Sequence, residues 1–424
     1  MDAHILASML RSPKGRAPCL TAQGAAFQQT LGNDPVPELI GIAVRNVALY
    51  FAKFLITAYT SILPPLLPVL MRDMNLSLTQ AGGLVSFFSL FNSILQPLFG
   101  WAEDRLGYHR FLCLSPLWIG LFLGALGFAA DFGSLALFLF LAGIGICAFH
   151  PASFAAVKGF DAANRSVIIS FLLMAASLGF VAGPTLVTLF IAHFGLEKLY
   201  FIAIPGVLAT VALFAIISPS RDERPRAKSF DYPVAKIIGP IFPFFLFALA
   251  VSITAMNLYS FVPIFLKQSG ASVGAAGVFL SVFSLGCALG PLAGSLAAKR
   301  VGRFRVLALS AILSAPSLLL FLLVPPAGAG QAVVFFFLGL FLMLPFSILI
   351  GMAQERVPRY VGTVSSFLGG FVWGCGGVLV IVFARAAEMI GIEWLLRGLV
   401  LFPLFSLALV LTAPSLRAQN PQSN

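Results

Sequence analysis

The sequence predicts an all-α integral membrane protein with twelve transmembrane helices in two six-helix bundles. Hydrophobic residues make up 59% of its 424 residues, whereas charged residues make up only 10%. The mean hydropathy is +1.00, and a soluble domain could not keep so much apolar surface from water. Twelve separate apolar segments are each long enough to cross the hydrocarbon layer, which takes about 20 residues.

The apolar segments divide the chain into five parts. Residues 1–40 are a polar tail without the long apolar core of a signal peptide, so the sequence predicts either a disordered cytoplasmic tail or a start codon placed too early. The first bundle spans 41–217, a polar central loop spans 218–236, the second bundle spans 237–414 and a short tail spans 415–424. The predicted helices lie near 42–70, 80–101, 111–130, 134–157, 165–192, 198–217, 237–266, 274–298, 305–324, 331–354, 361–385 and 394–413.

The distribution of basic residues predicts the orientation. With the N-terminus inside, 19 of the 26 Lys and Arg residues fall in cytoplasmic segments, and 5 fall in outside connections. This asymmetry follows the positive-inside rule, so both termini are predicted to be cytoplasmic in a bacterial inner (plasma) membrane. It also explains the net charge of +11 without a nucleic-acid partner; the predicted partner is the lipid bilayer.

The two halves show weak internal similarity. Leu95–Gly100 and Leu289–Gly294 agree at four of six positions. Ser170-Phe-Leu recurs as Ser366-Phe-Leu, and Thr57-Ala recurs at Thr254, in both cases at almost the same separation along the chain. A nearly constant offset indicates a duplicated six-helix unit, an arrangement in which a transporter carries its site between the halves.

A short polar loop follows the second predicted helix. Glycines at its two ends allow close helix approach and a positive φ, and an acidic residue could meet the positive end of a neighbouring helix dipole. The loop residues are Gly100, Asp104, Arg105, Gly107 and Arg110. This pattern resembles the signature loop of the major facilitator superfamily, in which a Lys or Arg is usual where His109 stands here. The resemblance implies a latch that stabilises one conformation; a plain topogenic loop is the alternative.

The latch interpretation predicts that Asp104→Asn impairs transport and leaves expression near normal. The substitution removes the charge that would meet the helix dipole while keeping the size of the side chain. Uptake or efflux assays at matched expression levels test this, and transport at the wild-type rate in the variant would contradict the latch interpretation.

Two further strings resemble particular branches of the superfamily. Gly179, Gly183 and Pro184 in the fifth helix are similar to the glycine-proline motif of its antiporters, in which small residues allow tight packing and the proline kinks the helix. The string Gly143-Ile-Gly-Ile-Cys-Ala-Phe-His150-Pro151 resembles the fosmidomycin-resistance branch. That resemblance implies proton-linked export, although Ala152 stands where the branch has an acidic residue.

Ionisable groups within spans are costly and suggest function. No Asp or Glu falls in mid-span, but Lys53 in the first helix and His150 in the fourth do, at similar depths. Both helices line the central cavity in this superfamily, so the two side chains are expected to face each other. The seventh helix offers Asn257 and Tyr259. In the first helix, a single stripe, and thus one predicted cavity face, holds Asn46, Tyr50, Lys53, Thr57 and Thr60.

Each ionisable group has a simpler alternative interpretation. Lys53 could extend to the cytoplasmic interface. The His150 imidazole, which normally titrates near neutral pH and is the proton-coupling candidate, could instead bond a carbonyl freed by Pro151. Four polar residues of the second helix are predicted to bond neighbouring helices, namely Ser86, Ser89, Ser93 and Gln96.

These observations predict a monomeric proton-linked antiporter that exports a small anionic or neutral compound. No cofactor or metal is predicted beyond the proton gradient, and the five widely spaced cysteines are predicted to act as small apolar residues. The main alternative is an uptake symporter or exchanger of a small organic anion. Paired carboxylates, His-rich sets and nucleophile motifs are absent, so the sequence does not favour an enzyme; a sensor without transport is a further remote alternative.

Overall fold

A computed structural model describes residues 35–158, 165–217, 234–357, 364, 367–413 and 416. Contacts divide the chain into two compact units, Met1–Arg45 and Asn46–Asn424. The described part of the first unit, from Pro35 onward, is helical. Every contact discussed below lies within the second unit. Residues 1–34 of the predicted tail, most of the central loop and the predicted C-terminal tail except Leu416 lie outside the described residues. Residues 35–40, which were predicted to belong to a disordered tail, are helical because they continue the first helix towards its N-terminus.

The first half forms six helices separated by short connections. A turn at Ser61–Ile62 divides α1 into two segments, and the last turn of α3 and the first turns of α6 are 3₁₀-helical. The spanning parts of these helices are α1 Gly41–Met74, α2 Leu78–Leu106, α3 Tyr108–Phe128, α4 Phe132–Val157, α5 Ile168–Phe194 and α6 Leu196–Ile216.

The second half repeats this pattern. The described part of its α11 contains a π-helical turn at Phe367–Phe371, and the predicted start at 361 lies outside the described residues. Among the described residues, all twelve helices except α2 meet the length and hydropathy criteria for a membrane span. Helix α2 is 29 residues long, which exceeds the roughly 20 residues that a membrane span needs. With α2 included, the described part of the chain has twelve spanning helices. The spanning parts of these helices are α7 Gly239–Gln268, α8 Val273–Val301, α9 Arg303–Leu323, α10 Ala329–Arg356, α11 Phe367–Ile390 and α12 Ile392–Thr412.

The helix ends repeat between the halves and support the duplication. The side chain of Ser77 caps α2 by accepting a hydrogen bond from Gln80 N, and Ser272 caps α8 in the same way at the corresponding place in the second half. The α2–α3 turn uses Gly107 at φ +84°, and the α8–α9 turn uses Gly302 at φ +89°. Because residues with a side chain rarely adopt a positive φ, glycine suits both turns, as the sequence predicted for Gly107.

Small residues bring helices together inside each bundle. A Cβ at Gly179 would lie 2.1 Å from the Phe54 carbonyl oxygen, and one at Gly183 would lie 2.5 Å from that of Ala58. The predicted glycine motif of α5 therefore packs directly on the α1 backbone. In the second bundle, Gly286 and Gly294 of α8 approach carbonyl oxygens of α10 equally closely.

The two bundles meet through α2 with α11, α5 with α8, and the second segment of α1 with α7. We call the end of the molecule with the Gly107 and Gly302 turns the basic end because Lys299, Arg300 and Arg303 lie there. The four described cysteines are free thiols, as predicted; Cys19 lies outside the described residues.

Candidate functional site

A cavity of about 490 Å³ lies between the two bundles. Its lining combines aromatic rings with a few hydroxyl and amide groups, the composition of a small-molecule site. Side chains from α1, α2, α4 and α5 face those from α7 and α11. The residues with polar side chains in the lining are Thr60, Ser89, Asn92, Ser93, His150, Tyr259, Ser260 and Trp373.

Lys53 and His150 lie together beside this cavity. The Lys53 side chain is only 2% exposed, and its Nζ atom is 2.9 Å from His150 Nδ1 and 3.3 Å from Ser153 Oγ. The ammonium also faces the rings of Phe149 and Phe154, with 5.6 and 5.0 Å from Nζ to the ring centroids. Aromatic faces attract cations, so these contacts hold the charge in place and the side chain does not extend to the helix end.

The contact between the two side chains determines how His150 meets a ligand. When Lys53 is protonated, its ammonium can only donate hydrogen bonds, so His150 Nδ1 then accepts and the neutral ring carries its hydrogen on Nε2. The ring lines the cavity, whereas Lys53 does not. A ligand therefore meets an N–H donor that is polarised by a cation directly behind it.

The other predicted cavity residues divide into two groups. Thr60 and Tyr259 line the cavity, and the Tyr259 ring stacks on Phe180 of the opposite bundle at 5.1 Å. Asn46, Tyr50, Thr57 and Asn257 lie outside the lining. Three of the four have clear contacts elsewhere: Tyr50 packs on Phe171 at 5.8 Å, Thr57 Oγ1 donates to Lys53 O and Asn257 Nδ2 donates to Ile253 O. The last two bonds run to the preceding turn of the same helix and satisfy their donor groups locally.

Asn92 is a lining residue that the sequence reasoning missed. Its Oδ1 atom is buried and has no hydrogen-bond partner among the described residues, and the residue lines the cavity. The signal was present, because Ser89, Asn92 and Ser93 share one helical face at i, i+3 and i+4. Lining aromatic residues such as Trp373 gave no comparable signal, since aromatic residues occur throughout the spans.

Of the four α2 residues predicted to bond neighbouring helices, Ser86 has such hydrogen bonds. Ser86 Oγ donates to Gly377 O at 3.1 Å and accepts from Ile381 N at 2.8 Å. Ser89 and Ser93 lie against Gly377 and Gly374 of α11. The side chain of Gln96 lies outside the described part.

The structure places the latch loop at the basic end, but shows only part of it. The side chains of Asp104 and Arg105, and the surroundings of Gly100, lie outside the described part, so their predicted contacts remain predictions. Arg110 is exposed. The His109 ring is buried, and its Nε2 atom lies 2.5 Å from the Ile217 carbonyl oxygen, which ties α3 to the end of α6.

Direct contacts join the bundles at the end opposite the basic end. Glu388 Oε1 of α11 accepts a hydrogen bond from Thr79 N in the first turn of α2 at 2.7 Å. Thr185 Oγ1 of α5 donates to Ser281 Oγ of α8 at 2.7 Å. Towards the basic end, the lining continues to Phe154 near the end of α4 and to Gly369 near the start of α11.

Helices in two related bundles around a central cavity define a multi-pass membrane transporter, whose ligand is a small molecule. The family model of the Major Facilitator Superfamily matches residues 49–381. The chain belongs to this superfamily.

Curated relatives extend over most of the chain. The chain is 27% identical over 360 residues to the fosmidomycin resistance protein of Escherichia coli (strain K12), covering 82% of this chain and 87% of that protein. It is 24% identical over 363 residues to the uncharacterized MFS-type transporter YfnC of Bacillus subtilis (strain 168), with the same coverage.

Solved structures share the fold. A bacterial homolog to the human lysosomal transporter Spinster superposes with a TM-score of 0.73 at 18% identity, covering 92% of this chain and all of that one. The nucleoside transporter NupG superposes with a TM-score of 0.71 at 15% identity, covering 89% of this chain and all of that one.

Proposed function

We propose that the protein is a proton-linked antiporter of the bacterial inner membrane that exports a small anionic or neutral compound as a monomer. The observation that carries the proposal is the Lys53–His150 contact beside the inter-bundle cavity. It places a buried cation and a group that normally titrates near neutral pH at one ligand-binding surface. Similarity to the fosmidomycin resistance protein supports the export direction.

Electrostatics supports the proposed sign of the substrate. The cavity lining contains no Asp or Glu among the described residues, so a substrate cation would find no counter-charge there. An anionic group at His150 Nε2 would be attracted by the Lys53 ammonium behind the ring. Neutral compounds with acceptor atoms would use the same donor, with aromatic contacts to Phe88, Phe154 and Trp373.

Alternating access needs an opening on each side of the membrane in turn. In the proposed orientation the basic end and both termini are cytoplasmic, following the positive-inside rule. The bundle contacts at Thr79–Glu388 and Thr185–Ser281 then close the outside, as an inward-facing state requires. Outward opening requires both contacts to separate.

A second candidate, proton-coupled anion uptake, is supported by the same contact. Protonating His150 next to the Lys53 ammonium places two positive charges close together, and a substrate anion would offset their repulsion. Proton and anion would then favour each other's binding, which is the linkage expected of a symporter. Export by exchange instead requires that the two bind to alternate states.

Transport in proteoliposomes with an imposed pH gradient distinguishes the two candidates. We expect the addition of a substrate anion, with phosphonates tried first, to drive protons in the direction opposite to the substrate. His150→Gln is expected to reduce this proton movement at least about tenfold while substrate binding persists, because glutamine keeps an N–H donor but does not titrate.

Each other outcome has a definite meaning in this assay. Proton movement in the same direction as the anion would replace antiport by symport. Substrate movement without proton movement would indicate a facilitator or an anion exchanger. Full proton coupling in His150→Gln would remove His150 from the mechanism, and His193→Gln is the matched control because His193 lies exposed at the end of α5.

A further inference from the structure

A second cavity lies on the outer surface of the first bundle, away from the central site. It has a volume of about 300 Å³ and is formed by α2, α3 and α4 near the basic end. We call it the α3 groove. Most of its lining is apolar, and the principal residues are Phe99, Leu106, Arg110, Leu114, Trp118 and Ile144.

The groove faces the surroundings of the bundle. Leu106, Leu114 and Trp118 are 71%, 48% and 40% exposed, and in a spanning helix such exposed apolar side chains meet lipid. Trp118 Nε1 donates a hydrogen bond of 2.7 Å to the Leu141 carbonyl oxygen of α4. This bond holds the indole across the space between α3 and α4, so the groove has a fixed wall.

The basic end of the groove carries the positive charge of Arg110. Arg110 is exposed and forms no ion pair or hydrogen bond with any residue that the structure describes. It lies in the first turn of α3, where the helix dipole already disfavours a cation. No described side chain caps this helix start, so its amide groups and the guanidinium can meet the same anion.

The distance from the charge to the tryptophan matches a chain-like ligand. Arg110 and Trp118 lie two turns apart on one helix, which corresponds to about 12 Å along its axis. A ligand that fits both ends has an anionic group followed by an apolar chain. Basic pockets between spanning helices on the cytoplasmic side are known to suit anionic lipid head groups, and free phosphate would leave the apolar wall uncovered.

We propose that the α3 groove binds one anionic phospholipid. Its phosphate contacts Arg110 and the first amide groups of α3, and one acyl chain lies along Leu114 and Trp118. The site is separate from the central cavity, because the two linings share no residue. The proposal does not depend on the transported substrate or on the coupling ion.

Tryptophan quenching by brominated lipid tests the proposal on the full chain. Phe replaces the other three tryptophans, so that Trp118 is the single tryptophan. The protein is then reconstituted in phosphatidylcholine vesicles. Phosphatidylglycerol with brominated chains, at a low mole fraction, is expected to quench Trp118 at least about threefold more than brominated phosphatidylcholine does.

Arg110 variants supply the decisive comparison. Arg110→Gln is expected to remove the preference for phosphatidylglycerol, while Arg110→Lys keeps at least half of it because the charge remains. A matched protein with Trp394 as its single tryptophan, a 61% exposed residue on α12, is expected to show no preference. Equal quenching of Trp118 by both lipids, or an unchanged preference in Arg110→Gln, would overturn the proposal.

Discussion

Gly277→Val is expected to keep α5 and α8 apart and to reduce transport at least about tenfold. A Cβ at this position would lie 1.9 Å from Thr188 Oγ1 and 2.7 Å from the Pro184 carbonyl oxygen. A backbone oxygen cannot rotate away, so the helices must separate. Overpacking of this kind costs about 1–3 kcal/mol, which shifts a two-state equilibrium roughly 5- to 150-fold.

The accessibility of position 281 measures this shift independently of transport. Ser281 Oγ lies 2.7 Å from Thr185 Oγ1 in the closed interface, so a Ser281→Cys probe in a background without native cysteines is expected to react slowly with a water-soluble maleimide. Adding Gly277→Val is expected to increase the labelling rate several-fold, because the interface opens.

Gly274→Val is the matched control on the same helix. A Cβ there meets no atom closer than 3.9 Å, so transport and labelling are expected to remain near the wild-type values. Equal transport in the two valine variants would show that the α5–α8 contact is not part of the cycle.

The same reasoning extends to the repeat-related position in α2. Gly82 stands in α2 where Gly277 stands in α8, five positions after the capping serine of each helix. A Cβ at Gly82 would lie 2.4 Å from Ala384 Cβ of α11. The two glycines therefore occupy equivalent contacts between the bundles, one in each repeat. Gly83→Val is the corresponding control, because a Cβ at Gly83 would meet no atom closer than 3.5 Å.

Lys53→Met is expected to weaken binding of anionic substrates about 30-fold and to change binding of neutral compounds little. An anion at His150 Nε2 would lie roughly 7 Å from the ammonium, and at an effective dielectric constant near 20 their attraction is about 2 kcal/mol, which corresponds to that factor. Methionine keeps the length and flexibility of the buried side chain without its charge.

Quenching of Trp373, which lines the cavity, can report binding of both ligand types. Lys53→Arg is expected to keep most of the anion affinity because it keeps the charge. Lys267→Met is the control for general charge effects, since Lys267 is exposed at the end of α7. Equal losses for anionic and neutral ligands, or no loss, would contradict a role for the Lys53 charge in recognising the substrate.

Helix number and repeat structure were readable from local properties of the chain. Hydrophobic length determines where a helix can cross the bilayer, so eleven of the twelve predicted segments start and end within about one and a half turns of the observed spanning segments. The predicted start of α11, at 361, lies outside the described residues. The positive φ at Gly107 was also predictable, because a tight turn between two helices commonly needs a backbone conformation that only glycine adopts without steric cost.

The lining of the cavity depended on information that helical periodicity does not contain. The predicted polar stripe on α1 includes both Thr60, which lines the cavity, and Thr57, whose hydroxyl bonds its own helix at Lys53 O. The rotation of α1 about its axis and the break at Ser61–Ile62 decide which side chains of the stripe reach the cavity. Periodicity gives the face of a helix, but not the distance of that face from the opposite bundle.

Sequence by itself therefore determined the membrane class, the twelve helices, the duplication and the presence of two ionisable groups at similar depth. Only the tertiary structure decided that Lys53 lies behind His150 and not in the cavity wall, and that Gly82 and Gly277 occupy matching contacts between the bundles. Hydrophobicity and turn chemistry act within a few residues along the chain. Hydrogen bonds and close approaches between residues far apart in the sequence exist only once the helices pack.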